Sequence, residues 1–239
     1  MAFVHGKGVE VLYGGKKLTS FFNDATVSRN IDSAETTAFG DSAKKYITGM
    51  MDGTMSLSGM FDGEANAIDD HLKTTIGAAA ADVATVLPEG AANGKAAYSA
   101  AVRQTSYEVS SPIGDVVAVS LEVQADGGVD RCVILNGEQA VTSSGTGTPV
   151  DNTAASSNGA AAYLHVTANT RDGATTFKVQ SSADNNTWAD LATFTSVSAT
   201  STTAERVLVS GSVPRYLRAS HAPGGSSGSI TYTITLGRR

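Results

Sequence analysis

The chain has one cysteine, Cys132, so no disulfide can form within it and no oxidised framework is implied. It contains no HExxH helix, no paired-cysteine zinc spacing and no EF-hand loop, which leaves no metal signature. Its histidines, His5, His71, His165 and His221, are scattered, and no serine sits in a Gly-x-Ser-x-Gly elbow with plausible triad partners. The glycines of the TSSGTGTP run lack the preceding strand and following helix that a phosphate cradle needs. These absences argue against an enzyme and against a bound cofactor. No apolar run approaches a membrane span, so no membrane insertion is expected. The opening MAFVHGKGVEV has no apolar stretch of signal-peptide length, and synthesis and retention in the cytoplasm are expected from it. With 17 basic against 23 acidic residues, the chain also lacks the cation excess that displaces counterions from nucleic acid.

What is present is a β composition. Glycine, alanine, serine and threonine are plentiful, leucine is scarce, and many short runs alternate apolar with polar residues. The length of 239 residues fits two domains, at about 100–200 residues each. Residues 1–150 carry 10 basic and 18 acidic side chains and residues 151–239 carry 7 and 5, which divides the net charge of -6 into -8 and +2. An acidic first part repels DNA.

The first part is organised around residues 36–76. From 51 to 61 the odd positions Gly53, Met55, Leu57, Gly59 and Phe61 are apolar or small, with Asp52, Thr54, Ser56 and Ser58 between them. A period of two marks a strand with one buried and one wet face. Asp62-Gly63 turns the chain, and Ala65, Ile68, Leu72 and Ile76 then recur at helical spacing, with Gly77 placed as a stop. The spacing predicts one helix that packs Ile68, Leu72 and Ile76 on the sheet. Upstream lie a hairpin (8–13 and 16–22, turned at Gly14-Gly15), a strand over 25–31 and a polar loop over 32–46, long enough to be functional or mobile. Downstream lie a strand over 81–87, a hairpin of 95–109 and 116–125, and a closing strand over 129–135 that holds Cys132 as a packed small residue. In the strand over 116–125, Val117, Val119, Leu121 and Val123 share one face, and Ser120, Glu122 and Gln124 share the other.

The composition then shifts to Gly, Ser, Thr, Asn and Ala. Residues 137–160 read as a flexible linker, because such a stretch buries too little apolar area to offset its ordering entropy. The boundaries that follow are 1–136, 137–160 and 161–239. In the last segment, strand runs at 161–167, 175–181, 188–194, 204–209, 215–220 and 229–236, separated by turn signals, predict a small β-sandwich.

The segment SRNIDSAETTAFGDSAKKYITGMMDGTMSLSGMFDG, with the single helix after it, resembles the major tail tube proteins of long-tailed, lambda-like siphovirus bacteriophages. The likeness covers residues 8–135 and rests on the order of strand, loop and helix, with Phe-Gly-Asp and Gly-x-x-Asp-Gly punctuation. It implies a mainly β protein: a tail-tube β-sandwich or barrel with one flanking α-helix, followed here by the small β-sandwich. It further implies hexameric rings whose strands join across subunits, stacked into a tube for genome DNA delivery. The loop over 32–46, through Thr36, Phe39, Gly40, Asp41, Lys44, Lys45 and Tyr46, would reach the next ring, as would the N-terminal segment. Thr54, Ser56, Ser58, Ser120, Glu122 and Gln124 would face the lumen, where double-stranded DNA slides past an acidic wall without specific binding. The partners so implied are other copies, a tail-tip initiator, a tail terminator and a tape measure protein in the lumen. The place implied is the virion tail, after synthesis in the host bacterial cytoplasm. The inner tube of a contractile tail or injection machine shares the protomer fold and stays open as a variant.

The run VQSSADNNTWADLATF looks like the strand–turn–Trp hairpin of phage decoration domains and discoidin-like sandwiches. As an immunoglobulin-like or lectin-like decoration, the second domain would serve weak host-surface adhesion, or solubility and ring stability. Trp188 either stacks on a glycan or anchors the core of the sandwich. Arg206, Arg215 and Arg218 are a solvated face or a contact for an anionic polymer. Asp69 and Asp70 point about 100° apart on a helix, so with His71 and Glu64 they read as a solvated face and not an ion site. Lys44 and Lys45 beside Asp41 are too few for a nucleic-acid patch. Two competing classes remain: a two-domain carbohydrate-binding surface protein, and a glycan-cleaving enzyme. The latter needs two carboxylates about 5–9 Å apart, which sequence does not place.

Overall fold

The computed structural model describes residues 5–239; the start of the N-terminal segment, residues 1–4, for which a contact to the next ring is expected, lies outside the described residues. The strands and helix follow in chain order as β1 (Glu10–Tyr13), β2 (Lys16–Lys17), β3 (Phe22–Glu35), β4 (Tyr46–Met60), α1 (Ile68–Leu72), β5 (Asp82–Leu87), β6 (Ala96–Ser110), β7 (Ala118–Ala125), β8 (Asp130–Val141), β9 (Gly145–Thr146), β10 (Val150–Asp151), β11 (Ala160–Asn169), β12 (Thr175–Ser182), β13 (Ala189–Thr193), β14 (Thr203–Val209), β15 (Tyr216–Pro223) and β16 (Ile230–Arg238). The fold is mainly β, in two antiparallel sheets. Neither sheet closes into a barrel, which corrects that part of the sequence reading: the path through the larger sheet ends on β14 and β2.

The chain forms two compact units, cut elsewhere than at 136 and 160. The larger holds the described residues up to Phe22, Asp82–Ser99 and Asp130–Arg239; the smaller holds Asn23–Ala81 and Ala100–Val129. β6 contributes to both, pairing with β8 over Ala96–Ser99 and with β7 from Val102 onward.

In the larger unit β11 pairs with β14 on one side and β16 on the other, and β16 pairs with β8. The pairs Ile234↔Asn136 and Ile230↔Val141 carry β8 well past Leu135, into the stretch read as linker. β9 and β10 within that stretch pair with β15. The composition of 137–160 is poor in apolar area, yet the end of β8, β9 and β10 pair with strands far along the chain, β16 and β15, a solution that local composition cannot reveal. The second sheet sets β15 between β12 and the short β9 and β10, with β13 outside β12. Leu164, Val166, Tyr232, Ile234, Phe177, Val179, Leu217 and Ala219 form one buried cluster, in which the Phe177 and Tyr232 ring centroids lie 4.6 Å apart. Each buried Leu, Val, Ile or Phe side chain there contributes about 1.5–3 kcal/mol.

A second cluster packs Leu12, Val83, Leu87, Ala97, Ile134, Ala161 and Tyr163 around Cys132, whose thiol burial pushes up to about 12. Beside it runs a buried polar chain. His165 Nε2 lies 3.0 Å from Thr85 Oγ1, Thr85 donates to Ser99 Oγ at 2.9 Å, and Ser99 Oγ lies 2.9 Å from Thr235 Oγ1. Burial lowers the His165 pKa from 6.5 to about 3. The unfolded chain therefore takes up this proton below about pH 6.5 and the folded chain only near pH 3, so stability falls as pH drops through that window, by about 1.4 kcal/mol per unit. Urea melts between pH 7 and pH 4 should show this slope, and it should shrink by about that amount in His165→Gln. An unchanged slope in the variant would assign the acid sensitivity to other groups.

Candidate assembly surface

The smaller unit is a sheet in the order β3-β4-β7-β6, with α1 after β4. Residues opposite one another on paired strands share a face. The register aligns Thr54 with Gln124 and Arg103, Ser56 with Glu122 and Ser106, and Ser58 with Ser120 and Glu108. Thr54, Ser56, Ser58, Ser120, Glu122 and Gln124 therefore lie together on one polar face. Arg103, Ser106 and Glu108 extend it, and sequence reasoning missed them. A bulge between Gln104 and Ser106 moves β6 by one residue, and the visible signal is the break in alternation at Thr105. Gln124 donates to the Gly53 carbonyl at 3.1 Å and to Asp52, and Arg103 reaches the Ala79 carbonyl at 2.8 Å and Asp126 at 3.3 Å.

On the reverse face Met55, Leu57, Val119, Leu121 and Val123 are buried. Tyr107 Oη donates to Asp69 at 2.8 Å and the Thr75 hydroxyl bonds Gln104, so the segment around α1 is tied to β6. Ile68 and Leu72 are fully buried, whereas Ile76 is 50% exposed. The helix is shorter than its spacing predicts. The hydroxyls of Thr74 and Thr75 bond back to the carbonyls of His71 and Leu72, and Gly77 turns at φ +73, so the periodicity continues past the point where the helix ends. Asp69 serves Tyr107 and Asp70 pairs with Lys73 at 2.7 Å. Among the described residues no group of three or more His, Cys, Asp or Glu side chains could hold a metal ion.

β3 and β4 extend beyond this sheet as a two-stranded hairpin. Its root is Gly53, where a Cβ would fall 2.6 Å from the Ser28 carbonyl oxygen and 2.7 Å from Val129 Cγ2; Arg29 Nε donates to the Val129 carbonyl at 2.8 Å. Beyond the root every residue of β3 and β4 is exposed, including Ile31 at 51%, Ile47 at 58% and Met50 at 79%. The loop expected over 32–46 is narrower than its polarity suggests, because strand pairing continues to Glu35 and resumes at Tyr46. Tyr46 accordingly sits on β4, half exposed. Thr36, Phe39, Gly40, Asp41, Lys44 and Lys45 form the tip. Thr36 N donates to the Lys45 carbonyl at 2.8 Å, Ala38 N donates to Asp41 at 2.8 Å, and Lys44 pairs with Glu35 at 3.1 Å. The ammonium of Lys45 bonds Asp41 and, with the Ala38 N–H, lowers its pKa. Phe39 projects fully into solvent.

In the larger unit Trp188 is half buried just before β13, outside the main buried cluster, with the Arg218 guanidinium over its ring at 4.1 Å. Arg218 also donates to Gln180 at 2.9 Å, and Arg215 holds Asp151 through two bonds of 2.7 Å. One ring face of Trp188 is thus occupied by a cation from its own chain. No helix among the described residues is long and apolar enough to cross a membrane.

No family model and no curated protein matches the chain. Among solved structures it is similar to a chain of the virion of a native gene transfer agent particle, with a TM-score of 0.45 and 12% identity over 54% of this chain and 98% of that one. It is also similar to a chain of the PVC sheath–tube complex, an extracellular contractile injection system in its extended state, with a TM-score of 0.42 and 15% identity over 53% and 89%. The Dit protein of phage SPP1, part of a hub adsorption apparatus, aligns over 96% and 99% with a TM-score of 0.38 and 15% identity. TM-scores under 0.5 at such identities do not establish a shared fold.

Proposed function

We propose that the chain is a structural subunit of a phage-type tail tube. The observation that carries this reading is the β3–β4 hairpin. A two-stranded ribbon with both faces in water is marginal on its own, and this one exposes Ile31, Tyr46, Ile47, Met50 and Met51. Covering those five side chains with a neighbouring copy contributes on the order of 5 kcal/mol per copy. β3 is also the open edge of its sheet, and side-by-side pairing of copies removes that edge. Rings of copies, hexameric by the sequence resemblance, then join their sheets around a shared lumen.

The polar face of β4, β7 and β6 lines the lumen, with Glu122 and Glu108 setting an acidic wall past which double-stranded DNA slides. The tip stacks one ring on the next. A tail-tip initiator, a terminator and a tape measure protein are the further partners, the place of action is the virion tail, and no catalysis is involved. The segment from 161 onward would add outward contact with host-surface glycan, or ring stability, with Trp188 as its aromatic group.

Negative-stain electron microscopy of the concentrated protein, with its mass in solution, tests the reading. Rings or hollow tubes are the expected result. A stable monomer that never assembles on a tail tip, and that polysaccharide resin retains until Trp188→Ala releases it, would transfer the assignment to a carbohydrate-binding surface protein.

A further inference from the structure

The smaller unit carries a second exposed apolar cluster, at the end of its sheet away from the hairpin tip. β4 runs from Tyr46 beside the tip to Met60, and Met60 pairs with Ala118 at the start of β7. The turn between β6 and β7, residues 111–117, therefore lies at the far end, one full length of β4 from the tip; 15 residues of strand span about 50 Å. Ile113 there is 107% exposed and Val116 64%, and Val109 and Met60, on opposite faces of the sheet next to the turn, are half exposed. Phe39 and Ile113 are the two most exposed large hydrophobic residues of those described, and they cap opposite ends of one sheet.

Charge separates the two ends in the same way. Lys44 and Lys45 are the only lysine or arginine residues from 30 to 72, and at the tip their side chains are 68% and 65% exposed beside Glu35 and Asp41. The far end has Glu108, Asp115, Asp62 and Glu64, and no lysine or arginine occurs from 104 to 130 or from 46 to 72. A tip with two exposed lysines thus lies opposite a turn that carries acidic residues and no lysine or arginine.

We infer that the β6–β7 turn is the receiving site for the hairpin tip of a second copy, in the adjacent ring. This rests on the tube reading above and assigns the partner surface of its tip. Phe39 packs on Ile113 and Val116 of the turn, while Lys44 and Lys45 exchange Glu35 and Asp41 for Glu108 and Asp115. In a closed two-fold dimer both patches would be used up by one antiparallel partner, whereas docked end on each copy still offers one patch to the next. The copies then meet head to tail, and the contact repeats along an axis, which is what stacked rings require.

The test mixes full-length Phe39→Cys chains with full-length Ile113→Cys chains under mild oxidation; Cys132 is buried and does not compete. Docking holds the two thiols at high effective concentration, so the mixture should give disulfide-linked pairs about tenfold or more above either variant alone. Lys44→Glu with Lys45→Glu should leave rings unstacked, and adding Glu108→Lys with Asp115→Lys should restore tubes. Tubes that form with cross-linking at background, and with Ile113→Asp chains stacking normally, would overturn this inference and leave the tube reading standing. Chains that form neither rings nor tubes, even on a tail-tip complex, would overturn both.

Discussion

Deleting residues 37–44 and closing the hairpin with Asn-Gly is expected to abolish tubes while leaving rings. The tip donates no side chain to the buried core of its own unit: Thr36 to Gly40 and Ser42 to Lys45 are exposed, and their hydrogen bonds close within the tip or onto Glu35. The isolated subunit should therefore keep its stability to within about 0.5 kcal/mol. In the proposed tube each tip-to-neighbour contact would, by contrast, lose Phe39, whose burial there would be worth about 2–3 kcal/mol. Because the contacts of a ring form together, their loss multiplies, and stacking should fail completely. Sedimentation and electron microscopy read the outcome directly. Full-length tubes from the shortened chain would show that the tip is not the axial contact.

The second large effect is expected at Arg171, in the larger unit. This guanidinium is only 3% exposed. Its Nε donates to the Gly224 carbonyl at 3.1 Å, Nη1 to the carbonyls of Thr142 at 3.3 Å and Gly228 at 2.7 Å, and Nη2 to those of Gly224 at 2.8 Å and Gly225 at 3.0 Å. The neighbouring Asp172 carboxylate accepts the Ser227 N–H at 3.1 Å and the Ser226 N–H at 2.9 Å, and the Ser227 N–H, with the hydroxyls of Ser227 and Ser226, brings its pKa down to about 2. The backbones meet so closely that a Cβ on Gly173 would lie 2.4 Å from the Gly225 nitrogen. Arg171→Met keeps much of the volume and removes every donor, leaving carbonyls that were satisfied by one planar fork buried without partners. A loss of about 3–5 kcal/mol follows. Arg171→Lys should recover little of it, since a single ammonium cannot span the same set of oxygens. Thermal and urea unfolding of the three proteins measure this. A loss below about 1 kcal/mol would mean that water replaces the fork at no great cost.

The strand in β4 was legible because its cause is local. Side chains alternate across a strand, and Met55, Leu57, Thr54, Ser56 and Ser58 write that alternation into consecutive positions. The same holds for Val119, Leu121, Val123 and their polar neighbours on β7. α1 was legible in its position and in Ile68 and Leu72, but not in its length, because hydroxyl back-bonds at Thr74 and Thr75 compete with the helix that Ile76 would have extended. The extent of the hairpin was hidden by its composition: SRNIDSAE carries polar and apolar residues on both faces and YITGMMD carries apolar residues on both, and a ribbon with no buried side leaves no period to read.

By itself the sequence determined the β class, the alternating strands, the polar face of the sheet in the smaller unit and the absence of metal-signature spacings, because each of these follows from the order of neighbouring residues. Only the tertiary structure decided that β8 continues to Val141 beside β16, that the stretch read as linker pairs with β15, that β6 bulges at Thr105, and that Trp188 lies under Arg218. Those features depend on which distant strand satisfies a given row of N–H and C=O groups. Every residue carries the same backbone donor and acceptor, so local sequence cannot say which partner will claim them.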